Sequence, residues 1–66
     1  MNEEESILGL LYKQMETEKA EITNAIVEGA ARDFAQYKEL CGKIYGLALA
    51  QSFINTMADK LRKQSE

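Results

Sequence analysis

The chain has 66 residues, 45% of them hydrophobic, with one cysteine, no histidine, no proline and a formal net charge of −3. This length allows at most one domain with a marginal core, and the composition excludes an internal disulfide and a Cys/His metal site. Association with another protein is therefore expected to complete the fold. The abundance of good helix formers predicts an all-α protein, an antiparallel two-helix hairpin that forms a single domain over residues 1–66.

The first helix is predicted at about residues 3–28. Asn2 followed by Glu5 has the form of a capping box, and acidic residues are favoured in the first turn by the helix dipole. Apolar residues recur at helical spacing and predict one side of a seam between the helices. These residues are Leu8, Leu11, Met15, Ile22 and Ile26. Glu18 and Lys19 interrupt the apolar pattern and are expected to be solvated or paired.

Residues 29–33 are predicted to form the turn. Gly29 suits the left-handed position just past the end of a helix, and Asp33 followed by Gln36 forms a second capping box. A connection this short makes the two helices antiparallel neighbours. The competing interpretation is one continuous helix, because the two alanines that follow Gly29 also favour helix.

The second helix is predicted at about residues 34–63. Its apolar positions alternate steps of three and four residues, which is the pattern of a coiled-coil seam. The seam positions are Tyr37, Leu40, Ile44, Leu47, Gln51, Ile54, Ala58 and Leu61. Gln51 is the only strongly polar member, and it either fixes the register of the pair or lies at the edge of a distorted seam. The hairpin also places the basic end of the second helix beside the acidic start of the first, an exposed pairing that contributes little. The basic residues are Lys60, Arg62 and Lys63, and the acidic ones are Glu3, Glu4 and Glu5.

The segment from residue 41 to residue 50 is apolar or small nearly all the way round the helix, which one seam does not explain. A second face, here called the outer face, combines a stripe at steps of four with a row of small residues. It consists of Gly42, Tyr45, Gly46, Leu49, Ala50 and Phe53. A glycine inside a helix costs about 1 kcal/mol relative to alanine, and close approach of another helix is the usual reason for it. The outer face either docks on a partner protein or is covered by the first helix.

Residues for catalysis are scarce. No histidine is present to act as a base, no glycine-rich phosphate loop precedes a helix, and Cys41 is expected to be a buried, inert thiol. The sequence therefore predicts a protein that is not an enzyme, with no cofactor, no metal and no small-molecule substrate. The scattered lysines form no basic stripe for nucleic acid. No apolar run is long enough to span a membrane, and the acidic start lacks the features of a signal peptide, which indicates a cytosolic origin.

One segment also resembles a known group of proteins. Residues 33–50 read DFAQYKELCGKIYGLALA, in which an acid–aromatic–Ala–x–Tyr stretch leads to a small residue and then to Gly-x-Ile-x-Gly-Leu. This pattern, with the early leucines and the Gly29 turn, resembles small helical proteins of tailed bacteriophages. The resemblance implies a minor virion protein of the head-to-tail or portal region, made in the host cytoplasm, that packs on a larger virion protein or on copies of itself. The alternative is a small cytosolic regulatory hairpin dimer that binds RNA or a host protein.

Overall fold

The protein folds as two helices joined by a short turn. The computed structural model describes residues 3–65, with side chains for residues 3–64, so Asn2 of the first predicted capping box lies outside the described residues. Helix α1 spans Glu3–Val27 and helix α2 spans Phe34–Ser65, and no strand occurs between residues 3 and 65. The hairpin measures 50 × 15 × 11 Å. The predicted all-α hairpin is confirmed, with α1 ending one residue earlier and α2 two residues later than expected.

The turn begins at Gly29, whose backbone has a φ of +88°. The Gly29 amide donates to the carbonyl of Ile26 at 3.0 Å, and the Ala30 amide donates to the carbonyl of Ala25 at 2.9 Å. These two bonds form a Schellman motif, which satisfies the last carbonyls of α1 and requires a left-handed residue at position 29. The chain therefore turns where the glycine was expected to stop the helix, and the continuous-helix interpretation is wrong.

Helix α2 starts with the second predicted cap. The Gln36 amide donates to Oδ1 of Asp33 at 2.8 Å, so the Asp33 carboxylate satisfies one of the free amides of the first turn. Oε1 of Gln36 accepts a hydrogen bond from the backbone amide of Arg32, also at 2.8 Å. In a capping box the donor would be the amide of the next residue, Asp33. Local hydrogen bonds thus hold both ends of the turn, and they fix the directions in which the two helices extend from it.

Most predicted seam residues lie between the helices. The half-buried ones are Leu8, Met15, Ile22, Ile26, Leu40, Ile44, Leu47, Ile54, Ala58 and Leu61. No apolar side chain among residues 3–64 is fully buried, and Gln51, at 3% exposure, is the most buried residue of this part of the chain. A single pair of helices shields one stripe of each helix, so a two-helix hairpin leaves its seam partly open to solvent.

Two predicted seam positions are corrected. Leu11 is 45% exposed, whereas Tyr12 is half-buried and lies in the seam. Tyr37 is 44% exposed. Gln51 contacts Tyr12 and Glu16, so Tyr37, fourteen residues earlier in the antiparallel pair, lies opposite the end of α1 at Val27, and little of α1 remains there to cover it. Its ring stacks instead on Phe34 of its own helix, with 6.3 Å between the ring centroids.

Candidate functional site

The outer face of α2 is open to solvent. Tyr45 is 69% exposed, Leu49 is 45% exposed and Phe53 is 64% exposed, while Ala50 is half-buried at the border with the seam. Met57, 49% exposed, continues the same stripe by one more step of four residues. Helix α1 therefore does not cover these side chains, contrary to one of the two interpretations of the sequence. Large aromatic and aliphatic groups in one continuous exposed stripe are typical of an interaction surface.

The two glycines of the outer face also lie against open space. A Cβ atom added at Gly42 or at Gly46 would meet no atom of the chain within 4 Å outside its own helix backbone. No intramolecular contact thus requires a glycine at either position, although each lowers the stability of the helix by about 1 kcal/mol relative to alanine. Together with Ala50 they form a row of small residues beside the aromatic stripe, against which the backbone or side chains of another molecule can pack closely.

All residues of the outer face except Gly42 belong to an uncharged part of α2. Residues 44–58 contain no charged side chain. Charges resume immediately on either side, where Lys43 pairs with Glu39 at 3.9 Å and Asp59 pairs with Arg62, each within its own helix. Because these exposed charges pair within α2, a partner can bury the uncharged surface between them at low electrostatic cost.

Gln51 lies inside the seam opposite the outer face and connects the two helices. Its Nε2 donates to the backbone oxygen of Tyr12 at 3.2 Å and to Oε1 of Glu16 at 2.9 Å. The Glu16 carboxylate also accepts from Nζ of Lys19 at 2.8 Å. Lys19, which interrupts the apolar pattern of α1, is thus a half-buried member of the seam. Sequence reasoning identified Gln51 as a candidate register residue but missed its partners, because no sequence signal pairs positions across two helices.

The hydrogen bonds around Glu16 make the fold sensitive to acid. The Lys19 ammonium, assisted by the Gln51 amide, holds the pKa of Glu16 below its ordinary value of 4.5. A folded-state pKa below the unfolded one means that the carboxylate stabilises the fold above about pH 4.5, and that this contribution is lost as the pH falls through the folded value.

Acid denaturation of a Glu16 variant tests this linkage. We expect the wild-type protein to lose more stability than Glu16→Gln when the pH is lowered from about 6 to about 3, because the variant cannot titrate at this position. Urea denaturation followed by circular dichroism at both pH values measures the difference. An equal loss of stability in the two proteins would show that the Glu16 hydrogen bonds do not contribute to the pH dependence.

A groove opens between the helices near the open end of the hairpin. It has a volume of about 910 Å³ and its apolar wall includes Leu8, Tyr12, Ile54 and Ala58. Charged residues, Lys13 and Asp59 among them, also line the groove. Its lining is therefore of mixed apolar and charged character.

Cys41 is half-buried, less than the full burial that the sequence predicted. Its side chain lies one helical turn after Tyr37, and the hydrogen bond between them raises the pKa of the Tyr37 hydroxyl above its ordinary value of 10.0. Residues 3–64 contain no group of three or more His, Cys, Asp or Glu side chains arranged to hold a metal ion. Neither helix, over its described residues, is both long and apolar enough to cross a membrane.

Comparison with known proteins adds no second source of information about the site. The chain matches no protein-family model, no curated protein and no solved structure. The outer face of α2 combines exposed apolar side chains and small residues with the absence of charge over residues 44–58.

Proposed function

We propose that this chain is a non-enzymatic structural protein whose outer face of α2 binds another protein surface. The exposed stripe formed by Tyr45, Leu49 and Phe53 supports this proposal most strongly. Aromatic side chains supply contact area at low entropic cost and are enriched at the centres of protein interfaces, while most charged residues are depleted there. A nucleic-acid partner would be attracted by a basic surface, and residues 44–58 carry no charge.

The biological setting proposed is a tailed-bacteriophage particle. The resembling segment, residues 33–50, includes the start of α2 and five of the six residues of the outer face. In this setting the chain is a minor virion component of the head-to-tail or portal region that packs on a larger virion protein or on copies of itself. A hairpin with a partly open seam suits this role, because contact with a neighbouring protein completes the burial of its apolar surface.

Site-specific photo-crosslinking tests the proposed function. A photoreactive phenylalanine analogue replaces Leu49 in one variant and Thr17 in a control, since Thr17 is an exposed residue of α1 that lies outside the seam and outside the outer face. Irradiation in the cells that make the protein is expected to give protein adducts from position 49 and none from position 17. Mass spectrometry then identifies the adducts.

The outcomes separate the two parts of the proposal. Equal crosslinking at positions 49 and 17, or none at either, would contradict an interaction function for the outer face. Adducts from position 49 that contain neither a virion protein nor a second copy of the chain would support an interaction surface and contradict the phage setting. Adducts with a virion protein, found also in purified particles, would support both.

A further inference from the structure

The hairpin exposes more surface than a compact protein of its mass. Its accessible area is 5163 Å², whereas a folded monomer of 7.4 kDa is expected to expose about 4,200 Å². The excess, about 950 Å², is close to the roughly 800 Å² that each partner contributes to an interface of standard size. The chain therefore has an area available for association that matches one stable protein interface.

The outer face is complementary to itself when two copies run antiparallel. Its large side chains, with Met57 included, lie at steps of four residues, so the midpoint of the stripe falls between Leu49 and Phe53. A twofold axis at this midpoint places Leu49 of one copy against Phe53 of the other, and Tyr45 against Met57. Each pair combines an aromatic ring with an aliphatic or thioether side chain, and both combinations pack well.

The spacing also defines how the two helices cross. Residues four apart form a ridge inclined to the helix axis, and two such ridges interlock when the helices cross at about 50°. The row of Gly42, Gly46 and Ala50 runs beside the ridge, and a Cβ added at either glycine would meet open space. This row provides the groove that receives the partner's ridge, with interaxial distances of about 8–10 Å.

The charges at the ends of α2 favour the antiparallel orientation. Three basic residues, Lys60, Arg62 and Lys63, lie after the uncharged stretch, with Asp59 as the one acid among residues 59–63. Two parallel copies would bring these basic clusters together, and the like charges would repel. In the antiparallel pair each cluster lies near the start of the partner's uncharged stretch, where Lys38, Glu39 and Lys43 together carry a smaller net positive charge than residues 59–63, so the repulsion is weaker.

We propose that the outer face of α2 binds a second copy of this chain, with the two α2 helices antiparallel about a twofold axis between Leu49 and Phe53. The proposal rests on the proposed function and names the partner. The product is a four-helix assembly in which the α1 helices lie on the outside and the central layer is formed by the two α2 helices.

Molar mass over a dilution series tests the association. Multi-angle light scattering of the purified wild-type chain is expected to give twice the monomer mass of 7.4 kDa. Leu49→Glu places a charge at the centre of the interface, and Gly46→Leu fills the groove, so each should weaken dimerisation by about 100-fold or more. Gly9→Leu is the matched control, because Gly9 is an exposed glycine of α1 that also has no neighbour within 4 Å of an added Cβ. This control should remain a dimer.

The orientation is measured on the wild-type sequence, so it does not depend on any variant that fails to fold. Cys41 is the only cysteine and carries a spin label. It lies ten residues from the proposed axis, so the two labels of an antiparallel dimer are expected to be about 30 Å apart. A separation of about 10 Å, the distance between packed helix axes, would indicate a parallel pair and overturn the proposal.

The remaining outcomes distinguish this inference from the proposed function. A wild-type chain that stays monomeric at all concentrations, while position 49 crosslinks to a different protein, would overturn self-association and leave the interaction function intact. A dimer that Leu49→Glu and Gly46→Leu do not weaken would overturn the assignment of the outer face. A monomer that forms no crosslinks at position 49 would contradict both.

Discussion

Replacing Gln51 by glutamate is expected to destabilise the hairpin strongly at neutral pH. The substitution turns the amide that donates to Glu16 at 2.9 Å into a second carboxylate at a position that is 3% exposed. Glu16 can turn toward solvent, because its side chain is 56% exposed, and the new carboxylate would then remain buried without a hydrogen-bond donor. We expect the melting temperature to fall by at least about 10 °C for a protein of this size.

Two further variants identify the cause of this effect. The double variant Glu16→Gln/Gln51→Glu exchanges the amide and the carboxylate, so the new amide on α1 can donate to the new carboxylate on α2. Most of the lost melting temperature should be recovered. Gln64→Glu makes the same change of charge at an exposed position and should have little effect. If the double variant is no more stable than Gln51→Glu alone, the contact between positions 16 and 51 does not carry the effect.

The Gln51 contact also shows where sequence analysis reached its limit. The three-and-four spacing predicted the seam of α2 correctly except at Tyr37, because seven consecutive steps of three and four leave only one face of the helix that fits them. Helix α1 offered two phases, since Leu11 and Tyr12 both lie at helical spacing from Leu8. The structure selects Tyr12, and the same phase brings Lys19 into the seam. Hydropathy alone favours the phase that contains Leu11, because it gives no sign that Lys19 can lie in the seam when it is paired with Glu16.

The outer face was predictable for a different reason. Two stripes of apolar and small residues on one helix require two packing partners, and a single neighbouring helix supplies only one. The structure places Tyr45 and Phe53 in solvent, as this argument requires if α1 is the only neighbour. The area, the midpoint of the stripe and the charges are what favour a second copy.

The turn was predicted from a glycine and a capping aspartate, and it should depend on both. We expect the double variant Gly29→Ala/Asp33→Ala to open the hairpin into one continuous helix. Alanine at a φ of +88° is strained by about 1–2 kcal/mol, and loss of the Asp33 cap costs about 1 kcal/mol more. The substitution also creates three consecutive alanines at positions 29–31, which strongly favour helix.

An opened chain still has to bury its seam, and it can do so only with a second opened chain. Two continuous helices that pair antiparallel restore every contact between α1 and α2 by domain swapping. A helix over residues 3–65 is about 95 Å long, whereas the hairpin is 50 Å long. Small-angle scattering should therefore show the maximum dimension nearly doubled, and Gly9→Ala, a glycine-to-alanine change inside α1, should leave it unaltered. If the double variant keeps the dimensions of the wild type, the contacts along the seam, and not the two caps, determine where the chain turns.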